Sequence, residues 1–243
     1  MPSVQIVRLF SNETLWIFLL ASSEEPEIRH IYDIAYGVRC LENKGISPDN
    51  IRLIIDGDKN TIYGHLKQLV KTSYIISTSD NLQDIVKKSI HKNIVVFVTG
   101  HGYFEDGIDA PKPIKPYNLL TSLRISKHTE NIVIYLGQCY AGIFNYINVA
   151  GYPKTIIIGS TNLYPSISCT LEGIPWCANL FLFNLFRWIE NPVDIDGDDK
   201  FTVMDSFKYA GAETNRYCQR YKGCCLERTI ELLEEKKQVN SSL

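Results

Sequence analysis

Two short segments each set a reactive side chain among glycines. One reads Thr99-Gly100-His101-Gly102 and the other Gly137-Gln138-Cys139-Tyr140-Ala141-Gly142. A thiol is a strong nucleophile only as the thiolate. A neighbouring imidazole can take the thiol proton and later deliver one to a leaving amine. Cys139 is therefore the candidate nucleophile and His101 its proton-handling partner. Gly102 allows backbone to approach a substrate carbonyl closely, and its N–H with that of Cys139 could form an oxyanion hole. Taken singly, a Cys after a strand is usually a small buried hydrophobe, and a His before Gly is often a turn residue. Their joint placement carries the inference. A nucleophile elbow is excluded by spacing, because that turn needs Gly-x-nucleophile-x-Gly and Gly142 comes one residue late.

The elements that must hold these residues are legible as short, mostly β-branched apolar runs. They cover Leu15–Leu20, Ile51–Ile55, Ile94–Val98, Ile132–Leu136 and Thr155–Ile158, as expected of strands buried on both faces. Helical stretches alternate with them. Ile28–Asn43 ends at Gly45, a C-cap residue, and Leu82–His91 follows Ser79-Asp80, good N-cap residues. Tyr117–Ser126, Trp176–Glu190, Val203–Arg220 and Leu226–Lys237 complete the set. This alternation predicts an α/β fold, one domain over 1–243 with a C-terminal helical extension from about 203, and a mainly parallel sheet flanked by helices. Sites in such sheets lie at the carboxyl ends of the strands. The third and fourth runs end in the His101 and Cys139 segments, so the two residues face each other if those strands are neighbours. The Asp56-Gly57-Asp58 segment reads as a turn only.

The chain has 243 residues and a net charge of −2. That balance gives no electrostatic case for nucleic acid or an acidic membrane. Lys87, Lys88, Lys92, Lys112 and Lys115 read as a solvated face. Seven cysteines at irregular spacing fit neither a disulfide framework nor a zinc CxxC pattern. A reduced, cytoplasmic protein is the expectation. The apolar run from Leu15 is too short to span a membrane, and it reads as a buried strand rather than a signal-peptide core.

The paired motifs resemble those of the clan of cysteine peptidases that includes caspases, gingipains, the glycosylphosphatidylinositol transamidase subunit and legumain. The legumain branch matches best, because Trp16 to Ser23, Ile28-Arg29-His30, Asp33 to Tyr36 and Lys44 to Ile51 follow its order as well. The resemblance covers about residues 15 to 190. It implies a three-layer caspase-like fold, a His101–Cys139 dyad, a protein or peptide substrate and no required cofactor. It also implies substrate-binding roles for Arg29, Gly137, Ser160 and Trp176. Departures from the branch are Gly137 and Pro175, where it carries acids, and Glu27, where it carries asparagine. An arginine without neighbouring acids favours a negative partner, so the expected cleavage is after Asp, with Glu second. The alternatives are a legumain-like asparaginyl peptidase, a transamidase or ligase that resolves the acyl-enzyme with an amine, and a non-catalytic adaptor. A partner protein is compatible with the last helix.

A separate stretch, Asp194 to Asp205, places oxygen ligands at loop positions 1, 3, 5, 9 and 12, namely Asp194, Asp196, Asp198, Thr202 and Asp205. It resembles the calcium loops of EF-hands and dockerins, with Asp199 where those have glycine and Asp205 where EF-hands have glutamate. The alternative is an acidic turn capping the following helix, with Thr202 as N-cap.

Overall fold

The computed structural model describes residues 10–166 and 179–220. Five apolar runs form strands close to the expected bounds: β1 Thr14–Leu20, β2 Ile51–Ile55, β4 Asn93–Val98, β7 Asn131–Leu136 and β8 Lys154–Gly159. A two-residue strand β3, Ile76–Ser77, joins them, and β5 Gly102–Tyr103 pairs with β6 Gly107–Ile108 as a small antiparallel hairpin. The main sheet has six strands in the order β3-β2-β1-β4-β7-β8, parallel throughout. β1 is buried along its whole length, which requires covering layers on both faces.

Those layers divide the core in two. Trp16, Phe18 and Leu20 of β1, with Val95, Phe97, Val133 and Tyr135, face α1 (Ile28–Asn43), α2 (Lys59–Leu66), α5 (Leu180–Glu190) and a helix over 203–220. Leu15, Ile17 and Leu19, with Val96, Val98, Ile134 and Leu136, face α3 (Leu82–Lys87) and α4 (Pro116–Leu123). Trp16, Phe97 and Tyr135 stack in a row across three strands, with centroids 6.0 Å and 5.5 Å apart. The molecule is a three-layer α/β sandwich. Among the described residues no helix is long and apolar enough to cross a membrane.

Several element bounds differ from expectation for local reasons. α1 does close on Gly45, at φ 81°, with Ile46 N–H donating to Leu41 O at 3.0 Å as in a Schellman cap. α3 stops at Lys87 rather than His91 because the Ser89 hydroxyl accepts the His91 amide at 3.2 Å, a local bond that competes with the helix. Its entry is a short 3-10 turn, Ser79–Asn81, with Thr78 as cap. α4 begins at Pro116 and stops at Leu123, where Arg124 turns to donate to Val149 O at 2.6 Å. α5 starts at Leu180 behind Asn179, whose side chain accepts from Leu182 N–H at 2.8 Å.

The C-terminal helix expected from about 203 forms over 203–220 and packs on the sheet. Val203 and Ala210 belong to the main core, and Tyr135 OH lies 2.8 Å from Ser206 Oγ. The Asp56–Asp58 segment is also more than a turn. Buried Asp56 accepts from Ser22 N–H at 3.2 Å and Ser79 N–H at 2.8 Å, and Asp58 caps α2 through Thr61 N–H. Pro175, Trp176, Cys224, Cys225 and the expected helix Leu226–Lys237 lie outside the described residues.

Candidate active site

β4 and β7 are neighbours, with Val98 opposite Leu136. Both reactive segments therefore leave the sheet at one carboxyl edge. Gly137 N–H donates to Val98 O at 2.8 Å, tying the start of the cysteine turn to the end of β4. Gly102 closes the approach from the other side. A Cβ there would fall on the carbonyl oxygen of Cys139 and 2.5 Å from Gln138 Cγ, so only glycine lets the two loops meet.

The cysteine turn is held from three directions. Tyr140 adopts a left-handed backbone, φ 56°, uncommon for a bulky side chain. Its N–H donates to Tyr164 O at 2.9 Å, and Gly142 N–H donates to Asn162 O at 3.0 Å. After Tyr140 a short 3-10 segment, Ala141–Tyr146, sinks Ala141 and Phe144 into the core. Cys139 itself is partly exposed. Its Sγ accepts the Ser166 N–H at 3.2 Å, which fixes the sulfur against the 160–166 segment.

His101 is paired with a residue 74 positions away. Its Nε2 lies 2.8 Å from Glu27 Oε1. The Glu27 carboxyl is lowered from 4.5 to about 2, chiefly by hydrogen bonding from Arg29; burial opposes this, and hydrogen bonding from His101 adds to the lowering. An ionised carboxylate only accepts, so Nε2 carries the proton and Nδ1 of the neutral ring keeps its lone pair.

A buried relay stands behind this pair. Thr99 Oγ1 donates to Asp33 Oδ2 at 2.7 Å and so accepts from His30 Nδ1, 3.2 Å away. His30 stacks edge-on against His101, with centroids 5.3 Å apart. Its Nε2 is buried and has no hydrogen-bond partner among the described residues.

The residues expected to bind substrate fare unevenly. Arg29 lies in the first turn of α1, but it does not stand without an acid. Its Nε is 2.6 Å from Glu27 Oε2, which removes the ground for expecting a preference for Asp. Gly137 is buried. A Cβ there would lie 2.5 Å from Leu182 Cδ1, so this glycine serves packing against α5 and offers no surface to substrate. Ser160 is half-buried, and its hydroxyl donates to Gly137 O at 3.1 Å. Asn179 Nδ2 donates to the same carbonyl and to Ser166 Oγ at 2.7 Å. Ser160, Ser166 and Asn179 thus form a polar shelf under the cysteine turn.

In the acidic loop, ligand atoms of Asp194, Asp196 and Asp198 lie within 4.8 Å of one another. Thr202 and Asp205 pair with each other, and Asp205 Oδ1 also accepts the Ile195 N–H at 3.1 Å. Thr202 N–H donates to Asp205 Oδ2 at 2.8 Å and Asp205 N–H to Thr202 Oγ1 at 3.2 Å. This reciprocal pair is a capping box for the 203–220 helix, and it takes two of the five expected oxygen donors.

Sequence reasoning registered Glu27 only as a departure from a pattern. Its contact with His101 follows only once the strand order is known. Thr99, Asp33 and His30 sit in segments that carry the motifs, but nothing in their spacing signals a relay. No protein-family model matches this chain, and a search of curated proteins finds no match.

Proposed function

We propose that the chain is a cysteine endopeptidase in which His101 and Cys139 cleave peptide bonds through a thioester. The observation that carries this reading is the close seating of the His101 loop on the Cys139 turn at Gly102, at adjacent strand ends. In this reading His101 Nδ1 takes the thiol proton, and Glu27 holds the ring by its Nε2–H and steadies the imidazolium that forms. The thiolate attacks the substrate carbonyl carbon, and the oxyanion is met by the N–H groups of Gly102 and Cys139. Collapse breaks the C–N bond, and His101 protonates the departing amine. Water, deprotonated by the same imidazole, then attacks the thioester and releases the acid. The legumain-like order of the N-terminal segments supports a peptide rather than another acyl substrate.

The test is cleavage of a mixed peptide library, read by mass spectrometry with and without an added amine. Hydrolysis products that vanish in Cys139→Ala support the reading. Amine-capped products in place of acids would move it to a transamidase, and cleavage persisting in Cys139→Ala would end it.

A further inference from the structure

We propose that Glu27, His30 and His101 form a binding site for a single zinc ion, and that the filled site switches the dyad off. One ligand atom from each residue lies within 4.8 Å of the other two. Two imidazoles and one carboxylate are donors of the type zinc takes, usually with four ligands in a tetrahedron. A water would complete that set.

His30 is the independent indication. Its side chain is only 8% exposed, and Nε2 is left without a partner among the described residues. The relay from Asp33 through Thr99 holds the proton on Nδ1, so the orphan Nε2 presents a lone pair. A fixed tautomer, with the second nitrogen donating to a hydrogen-bonded oxygen, is the arrangement that metal-ligating histidines use. An unpaired buried acceptor also requires an explanation, and a cation supplies one.

The other two donors can close on the ion. A tetrahedral zinc with bonds of about 2.0–2.2 Å holds its donors about 3.3 Å apart. His101 Nε2 and Glu27 Oε1 are already 2.8 Å apart, and both side chains are over two-fifths exposed, so modest torsions suffice. Arg29, bonded to Glu27, opposes a dication. That opposition makes the site a reversible regulatory one rather than a structural one.

The consequence follows from lone pairs. Metal on either nitrogen of His101, with the proton on the other, leaves none to accept the Cys139 proton. This consequence rests on the peptidase reading, whereas the binding does not.

Zinc titration of the full chain by calorimetry separates the two. The expected result is one ion per chain, unchanged in Cys139→Ala and in Asp196→Asn. His30→Gln and Glu27→Gln each weaken binding at least about tenfold. If His30→Gln does not fold by circular dichroism, Glu27→Gln at its exposed position decides by the same criterion. Absence of zinc binding, equal affinity in the folded His30→Gln variant, or loss of binding in Cys139→Ala overturns the site. A chain that binds zinc but shows no turnover even when metal-free overturns the peptidase reading and leaves the site standing, whereas turnover undiminished with the site filled overturns the switch.

Discussion

Cys139 and Cys40 carry the same thiol in opposite surroundings. Cys40 is buried, and burial first, with the nearby Glu190 charge, pushes its thiol up to about 12. Cys139 is partly exposed and receives the Ser166 amide. At about neutral pH, iodoacetamide should therefore modify Cys139 at least ~100-fold faster than Cys40, as read by peptide mapping of the native protein. Glu27 supports a second expectation. Its carboxyl titrates at about 2 in place of 4.5, so the stability it contributes is complete above pH 4.5 and is lost as pH falls toward 2. Glu27 therefore stays ionised across mildly acid pH, and the acid limb of activity does not belong to it. Glu27→Gln keeps the shape and removes the charge. It should lower kcat by about 10–100-fold with a smaller change in KM, whereas a merely structural role would shift Tm and leave the remaining kcat intact.

At the scale of elements, the strand ends and caps set the geometry. Gly102→Ala places a methyl on the Cys139 carbonyl and forces the two loops apart. The expected cost is about 1–3 kcal/mol of stability, with activity down about 100-fold from a displacement of roughly 1 Å; urea unfolding and turnover measure the two. Asp205→Ala removes half of the capping box with Thr202. It should cost about 0.5–2 kcal/mol, and the cost should be the same with and without calcium. β1, β4 and β7 were readable because burial on both faces leaves unbroken apolar runs, whereas β8, at the sheet edge and mostly half-buried, was readable from its β-branched run alone. α2 and β3 were not. α2 buries only Ile62 and Leu66 among its eight residues, and β3 has two residues, so neither writes a period. The stop of α3 depends on the Ser89 hydroxyl and not on any helix-breaking residue. The site was legible only to the extent that two strand ends announce themselves. The Glu27–His101 bond spans 74 positions and emerges only when β1 and β4 are paired.

Across the whole molecule, the site edge depends on the core between the sheet and the layer of α1, α2, α5 and the 203–220 helix. Phe97 stacks between Trp16 and Tyr135 and also meets Phe18 and Phe186, so it links β1, β4, β7 and α5. Phe97→Ala should cost about 3–5 kcal/mol, measured by urea unfolding. A single transition should persist, because both the helix at 203–220 and α5 pack on this core. The two reactive loops ride on the same strands. The seating of Gly102 against Cys139 is thus a property of the folded sheet rather than of either loop.

If Cys139 is a nucleophile served by His101, a peptide-like electrophile captures that sulfur alone. Intact-mass spectrometry after treatment with acyloxymethyl ketones carrying Asp, Asn or Lys reads this. A single adduct is expected, mapped to Cys139, absent in Cys139→Ala and formed far more slowly in His101→Ala. An adduct that persists in Cys139→Ala, or forms at the same rate in His101→Ala, would contradict it.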